Sequence, residues 1–261
     1  MKSKNALMLK ISVLISYLAM ITVNFLANAL PIAGRNTGEI SDSYPNLFAP
    51  AGLTFAIWGL IYFLLATYVI SYLNKKDNNN RSLFEKIAKL FTLSSLANIA
   101  WIFCWHYGLL IISVIVMLII LISLILIASA ISKAKLSTKE QIFLKLPFSI
   151  YFGWITVATI ANITALLVDL SWNGWGLADI TWTIIILLVG ALIGVFRSIK
   201  DRNVPYILVF VWAYFGIWLK HYSVNGFNGQ YPAIMKTTIL AIILFALNII
   251  YISFNKKKEK N

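Results

Sequence analysis

Polar residues interrupt this chain only at long intervals. Between them apolar residues run for roughly 18 to 25 positions, the length a helix rising ~1.5 Å per residue needs to cross about 30 Å of hydrocarbon. Eight such runs stand out, at residues 8–30, 52–73, 87–105, 108–131, 147–168, 178–196, 204–221 and 234–254. The third is the least clean, since Lys86 and Lys89 stand at its start and Asn98 inside it. The pattern predicts an all-α polytopic membrane bundle of eight transmembrane helices. Composition agrees: 60% of residues are hydrophobic and 12% charged, far from the balance of a soluble domain.

Charge then orients the chain. With the N-terminus inside, 19 of the 22 Lys and Arg residues fall on inner connections or on the tail, and only Arg35, Lys220 and Lys236 fall outside. Short loops retained in the cytoplasm carry such cations, so the expected arrangement is a multi-pass protein of the cell membrane with both termini cytoplasmic. The net charge of +13 is thereby spent on topology and on anionic membrane lipids, and no nucleic-acid partner is implied. Lys2, Lys4 and Lys10 ahead of an apolar stretch ending Ala27-Asn28-Ala29 imitate a signal peptide, but a run of about 20 residues is long for a signal core, so a retained anchor is expected.

Catalytic and metal-binding patterns are missing. Cys104 is the lone cysteine, which excludes an internal disulfide and a thiolate cluster, and there is no P-loop, dinucleotide fingerprint or EF-hand spacing. The eight runs contain essentially no ionisable residue, leaving little for proton- or sodium-coupled transport. Asp169 and Asp179 flank an outer loop, Asp201 reads as an inner-loop residue, and His106 and His221 near outer ends read as solvated polar tips.

The helices instead carry Trp, Asn, Ser and Thr. Asn24, Asn98, Asn162 and Asn248 need hydrogen-bond partners at bilayer depth; each alone reads as interhelical glue before it reads as a ligand contact. At ~1.5 Å per residue, Trp58, Asn98, Trp101 and Asn162 lie about 7 to 12 Å below the outer helix ends, with Trp154 near the midplane. Trp172, Trp175, Trp182 and Trp218 fit an interfacial aromatic belt, but Trp58, Trp101 and Trp154 are too deep for one. They fit the wall of a pocket for a flat apolar ligand. Above them runs the longest outer connection, Gly34 to Pro50, rich in turn formers and placed as a lid or as a plain connector.

Three segments resemble the TspO/MBR family of tryptophan-rich sensory proteins. Trp154, Thr156, Ala158, Thr159 and Asn162 match its fifth-helix pattern W-x-T-x-A-T-x-x-N; Asn98 and Trp101 match its N-x-x-W element; Pro50, Trp58 and Tyr62 resemble its proline-led second helix. The family's double proline is Ala49-Pro50 here, Phe55 is displaced by one residue relative to Trp58, and Pro147 lies about a turn further from Trp154 than usual. The resemblance covers about residues 8–168 and leaves the last three helices without a counterpart. It divides the chain into a five-helix bundle over 1–170 and a three-helix region with a basic tail over 171–261.

The resemblance implies a pocket for a tetrapyrrole such as a porphyrin or haem, or for a sterol-like molecule. It implies ligand contacts from Trp58, Tyr62, Asn98, Trp101, Trp154, Thr159 and Asn162, no required cofactor, and a homodimer. Sensing or handling of that small hydrophobic ligand is the leading expectation. A permease completed by the last three helices is the alternative, with Gly190 and Gly194 offering a small-residue surface for close helix contact. Light-driven porphyrin breakdown would have to rest on the Trp rings themselves, since no general acid or base lies in that layer. The last three helices are also open to a purely structural reading as an assembly surface.

Overall fold

The computed structural model describes residues 2–30, 32–75 and 80–258, and its side chains over 5–30, 32–75 and 80–255. Lys76, Asn78, Asn79 and Lys260 therefore lie outside the described residues, as do the side chains of Lys2, Lys4, Lys256, Lys257 and Lys258. The eight long helices are α1 (Lys2–Ala29), α2 (Ile57–Leu73), α3 (Arg81–His106), α4 (Leu110–Ser132), α5 (Leu146–Asp169), α6 (Asp179–Asp201), α7 (Val204–Tyr222) and α8 (Pro232–Lys258). All eight, α2 with the 3₁₀ turn before it, are long and apolar enough to cross a membrane, and no strand occurs among the described residues.

The helix ends differ from the apolar runs for a physical reason. Hydropathy marks where hydrocarbon would begin, whereas hydrogen bonding continues beyond it. Helix α3 accordingly starts at Arg81, six residues before its run, with Arg81 paired to Glu85 at 2.8 Å. Before α5, Pro147 has no N–H to give back to the preceding turn, and the chain widens into a π turn over Gln141–Lys145. At the end of α6, Asp201 is the last helical residue rather than a loop residue. It pairs with Arg197 at 2.7 Å, both side chains are largely buried, and the guanidinium lies 5.2 Å from the Phe152 ring centre. This ion pair escaped the sequence, which showed two charges at a helix end without showing the α5 ring beside them.

The buried amides behave as glue. Asn24 Nδ2 donates to Asn98 Oδ1 at 2.7 Å, joining α1 to α3; Asn162 Nδ2 donates to Ser113 Oγ at 2.8 Å, joining α5 to α4; Asn248 Nδ2 donates to Ser198 Oγ at 2.6 Å, joining α8 to α6. Each satisfies a group that lipid cannot.

Helix α7 packs closely against both α5 and α6. A Cβ on Gly153 of α5 would lie 2.8 Å from the Tyr206 carbonyl and 2.9 Å from Val209 Cβ, so only glycine admits α7 this closely. The Gly190 and Gly194 notches of α6 are filled from within the chain by Tyr214 and Phe210 of α7, and so give no free face for a second molecule. Tyr206 Oη reaches Thr156 Oγ1 at 3.2 Å and Tyr214 Oη donates to the Leu187 carbonyl at 2.5 Å.

Candidate functional site

The deep tryptophans converge. The Trp58 ring centre lies 6.3 Å from Trp101, 6.1 Å from Trp154, 6.2 Å from Tyr151 and 5.5 Å from Tyr62, with which it stacks. Trp101 stacks in turn on Trp105 at 5.8 Å, and Phe55 and Trp154 meet in a T-shaped arrangement at 6.0 Å. Helical spacing produces this cluster: Trp58 and Tyr62 are four apart on α2, Trp101 and Trp105 four apart on α3, and Tyr151 and Trp154 three apart on α5.

Space is distributed unevenly around it. Where Trp101, Trp105, Trp154 and Asn162 face Phe55 and Trp58, only about 40 Å³ is left. Beyond Phe55 and Trp58 a cavity of about 470 Å³ opens beneath the loop, with Asn24 and Asn28 of α1 on one side and Asn36, Thr37 and Glu39 on its roof. A groove of about 740 Å³ between α1 and α2 shares Asn24, Asn28, Trp58 and Tyr62 with that cavity. The two helices are tied beside the groove, where Tyr17 Oη donates to the Tyr62 carbonyl at 3.0 Å, and again at the opposite end, where Lys10 Nζ donates to the Leu73 carbonyl at 2.6 Å.

The seven residues singled out in the sequence divide accordingly. Trp58 and Tyr62 line the large cavity. Trp101, Trp154 and Asn162 line the small void, and Trp101 Nε1 donates to Asn162 Oδ1 at 2.9 Å. Asn98 is fully buried between Asn24 and the Tyr151 hydroxyl, and Thr159 turns its hydroxyl back to the Ile155 carbonyl of its own helix; neither faces any of these three spaces. Two of the seven carry a buried polar atom with unused hydrogen-bonding capacity, Tyr62 Oη and Trp154 Nε1. Phe55, Trp105, Tyr151 and the α1 amides were missed. The i, i+4 and i, i−3 spacing to known tryptophans would have found Trp105 and Tyr151, whereas nothing in the sequence gave the rotation of α1.

The loop over the cavity is structured. Thr37–Asp42 forms a short helix with a reciprocal cap: Asn36 Oδ1 accepts from the Gly38 and Glu39 amides, and Glu39 Oε2 accepts from the Asn36 amide at 2.8 Å. The two histidines read as solvated tips are buried and bind this loop. A carbonyl can only accept, so His106 Nδ1 donates to Ile32 O at 2.9 Å, its Nε2 meeting Thr37 Oγ1 at 3.3 Å, and His221 Nε2 donates to Leu47 O at 2.9 Å. Free loop carbonyls at the helix ends overcame the expected solvation. Tyr44 packs at 6.0 Å from Trp105, and burial together with the Asp169 charge pushes its hydroxyl above the usual tyrosine value against the opposing pull of Arg35.

No group of three or more potential metal ligands occurs among the described residues. The fold and the aromatic layer define a multi-pass integral membrane protein. A family model described as "TSPO-like protein" matches residues 10–251, nearly the whole chain, and the chain belongs to that family. The match runs through α6, α7 and most of α8, which corrects the expectation that the last three helices have no counterpart in the family. No curated protein and no solved structure matches the chain.

Proposed function

We propose that this protein binds a planar hydrophobic ligand, a porphyrin or other tetrapyrrole or a sterol-like molecule, beneath the loop, and serves to sense or handle it. The supporting observation is the cavity of about 470 Å³, within the range of small-molecule sites, with Phe55, Trp58 and Tyr62 along one wall and amides along another. An aromatic wall takes a flat apolar body, while Asn24, Asn28 and Asn36 offer donors and acceptors to its polar edge. In this reading the protein lies in the cell membrane with both termini cytoplasmic, works in lipid without a required cofactor, and assembles as a homodimer.

Titration of the purified protein with protoporphyrin IX, followed by Trp emission, tests the reading. Quenching that saturates and is weakened about tenfold or more in Trp58→Ala supports it, a loss in the range of a dominant aromatic contact. Emission that stays unchanged in the wild type excludes porphyrin as the ligand.

A further inference from the structure

The loop above the cavity is held from two sides by different parts of the chain. Helix α3 holds its first half: His106 donates to Ile32 O, and Trp105 Nε1 donates to Thr37 O at 3.2 Å. Helix α7 holds its second half together with the start of the α2 turn. Four contacts of 2.9 Å do this: Lys220 Nζ to Asp42 Oδ1, His221 Nε2 to Leu47 O, the Ala51 amide to the Gly216 carbonyl, and Trp212 Nε1 to Thr54 O. Three of the four go to loop backbone, so they fix where the loop lies whatever side chains it carries. Gly216 is required at the contact, because a Cβ there would overlap the buried Thr54 side chain.

The two holds differ at one contact. Trp105 and His106 of α3 are buried, as is His221 of α7, whereas the Lys220–Asp42 pair at the edge of the α7 hold is partly exposed, with side chains 23% and 52% accessible, and exposed pairs contribute little and exchange readily with water. Three of the four α7 contacts lie on residues that bound the cavity or flank them: Asp42 lines it, and Ala51 and Thr54 adjoin Gly52 and Phe55, which do. We propose that the loop is a lid hinged on α3 and latched on α7, so that α7 controls admission of ligand to the cavity, with Gly216, Trp212 and Lys220 as positioning residues. Release of the α7 contacts swings residues 42–54 away while residues 32–37 stay with α3. This rests on the reading that the cavity takes a ligand, and it gives the helices beyond the first five a part in the site.

Hydrogen exchange tests the latch without any ligand. Gly216→Ala, and Trp212→Phe as a milder variant that removes one N–H but keeps a ring, are each expected to raise exchange at the amides of 46–54, the Ala51 amide foremost, by about fivefold, the loss of roughly one net hydrogen bond. The amides of 36–41 stay as in wild type. Uniform acceleration over the whole loop, or none, overturns the hinge and latch, and a merely structural role for Gly216 gives the uniform pattern.

Stopped-flow mixing with protoporphyrin IX tests admission. Association and dissociation both quicken in Gly216→Ala. In a Cys104→Ser background carrying Asp42→Cys and Lys220→Cys, a short bis-maleimide tether slows association about tenfold or more relative to the untethered protein. Unchanged association in the tethered protein would mean that ligand arrives another way, such as the groove between α1 and α2, and the proposal falls. Should wild type bind no protoporphyrin, the functional reading fails on its own, and hydrogen exchange still decides the latch.

Discussion

The two faces of Trp58 see different surroundings. Toward α3 and α5 the neighbouring rings of Trp101, Trp154 and Tyr151 close in at 6.1 to 6.3 Å and leave a void of about 40 Å³. Toward α1 and the loop the same residue borders about 470 Å³. Large flat side chains at one depth find one another and pack, because dispersion favours ring contact over empty space. The space survives where the opposing residues are short amides, Asn24 and Asn28, and where the loop spans overhead on bonds to α3 and α7. A concentration of tryptophan therefore marks the wall of this site, and the site's volume lies on the side with fewer rings.

Truncation on the packed face costs most. Trp101→Ala removes a buried ring together with its bond to Asn162 and is expected to destabilise the protein by about 3 to 5 kcal/mol, measured by unfolding in mixed micelles. A cost below about 1 kcal/mol would show the aromatic layer to be loosely packed. Asn162→Ala comes next. It strands the Trp101 N–H in a dry interior and removes the donor that Ser113 Oγ accepts, while the Ser113 hydroxyl keeps its bond to the Leu110 carbonyl at 3.0 Å, for an expected loss of about 2 to 3 kcal/mol. Recovery of part of that loss in Asn162→Ala with Trp101→Phe, relative to Trp101→Phe alone, would identify the unsatisfied indole N–H as the cause.

Much of this architecture was legible in the residues. Eight apolar runs gave eight helices, the depth of Trp58, Trp101 and Trp154 along three helices put their rings together, and the rule that buried amides need partners foretold the pairs at Asn24, Asn98, Asn162 and Asn248. What escaped was decided by helix rotation and by backbone. Whether α1 turns amides or apolar residues toward α2 depends on its packing against α3, and its periodicity is blurred by lipid-facing positions that are as apolar as the core. The bonds from His106, Trp212 and His221 end on loop carbonyls, which every residue possesses, so no pattern of side chains announces them. Even Gly216 looked like any small residue of a membrane helix until the Thr54 side chain appeared against it.

The smallest expected change in stability belongs to the open face and separates the two faces most sharply. Tyr62 Oη is buried and without a hydrogen-bond partner, so Tyr62→Phe deletes a desolvated hydroxyl that earns nothing in the ligand-free protein. Removing an unsatisfied polar atom costs no bond, and stability should stay within about 0.5 kcal/mol of wild type or rise slightly. The ring remains, and with it the stack on Trp58. If the cavity takes a ligand whose polar edge uses this hydroxyl, protoporphyrin affinity falls by about fivefold, the worth of one hydrogen bond, while the unfolding transition does not move. A matched loss in both measurements would place Tyr62 with the packed rings instead, and the border between wall and space would have to be redrawn on the α1 side of Tyr62.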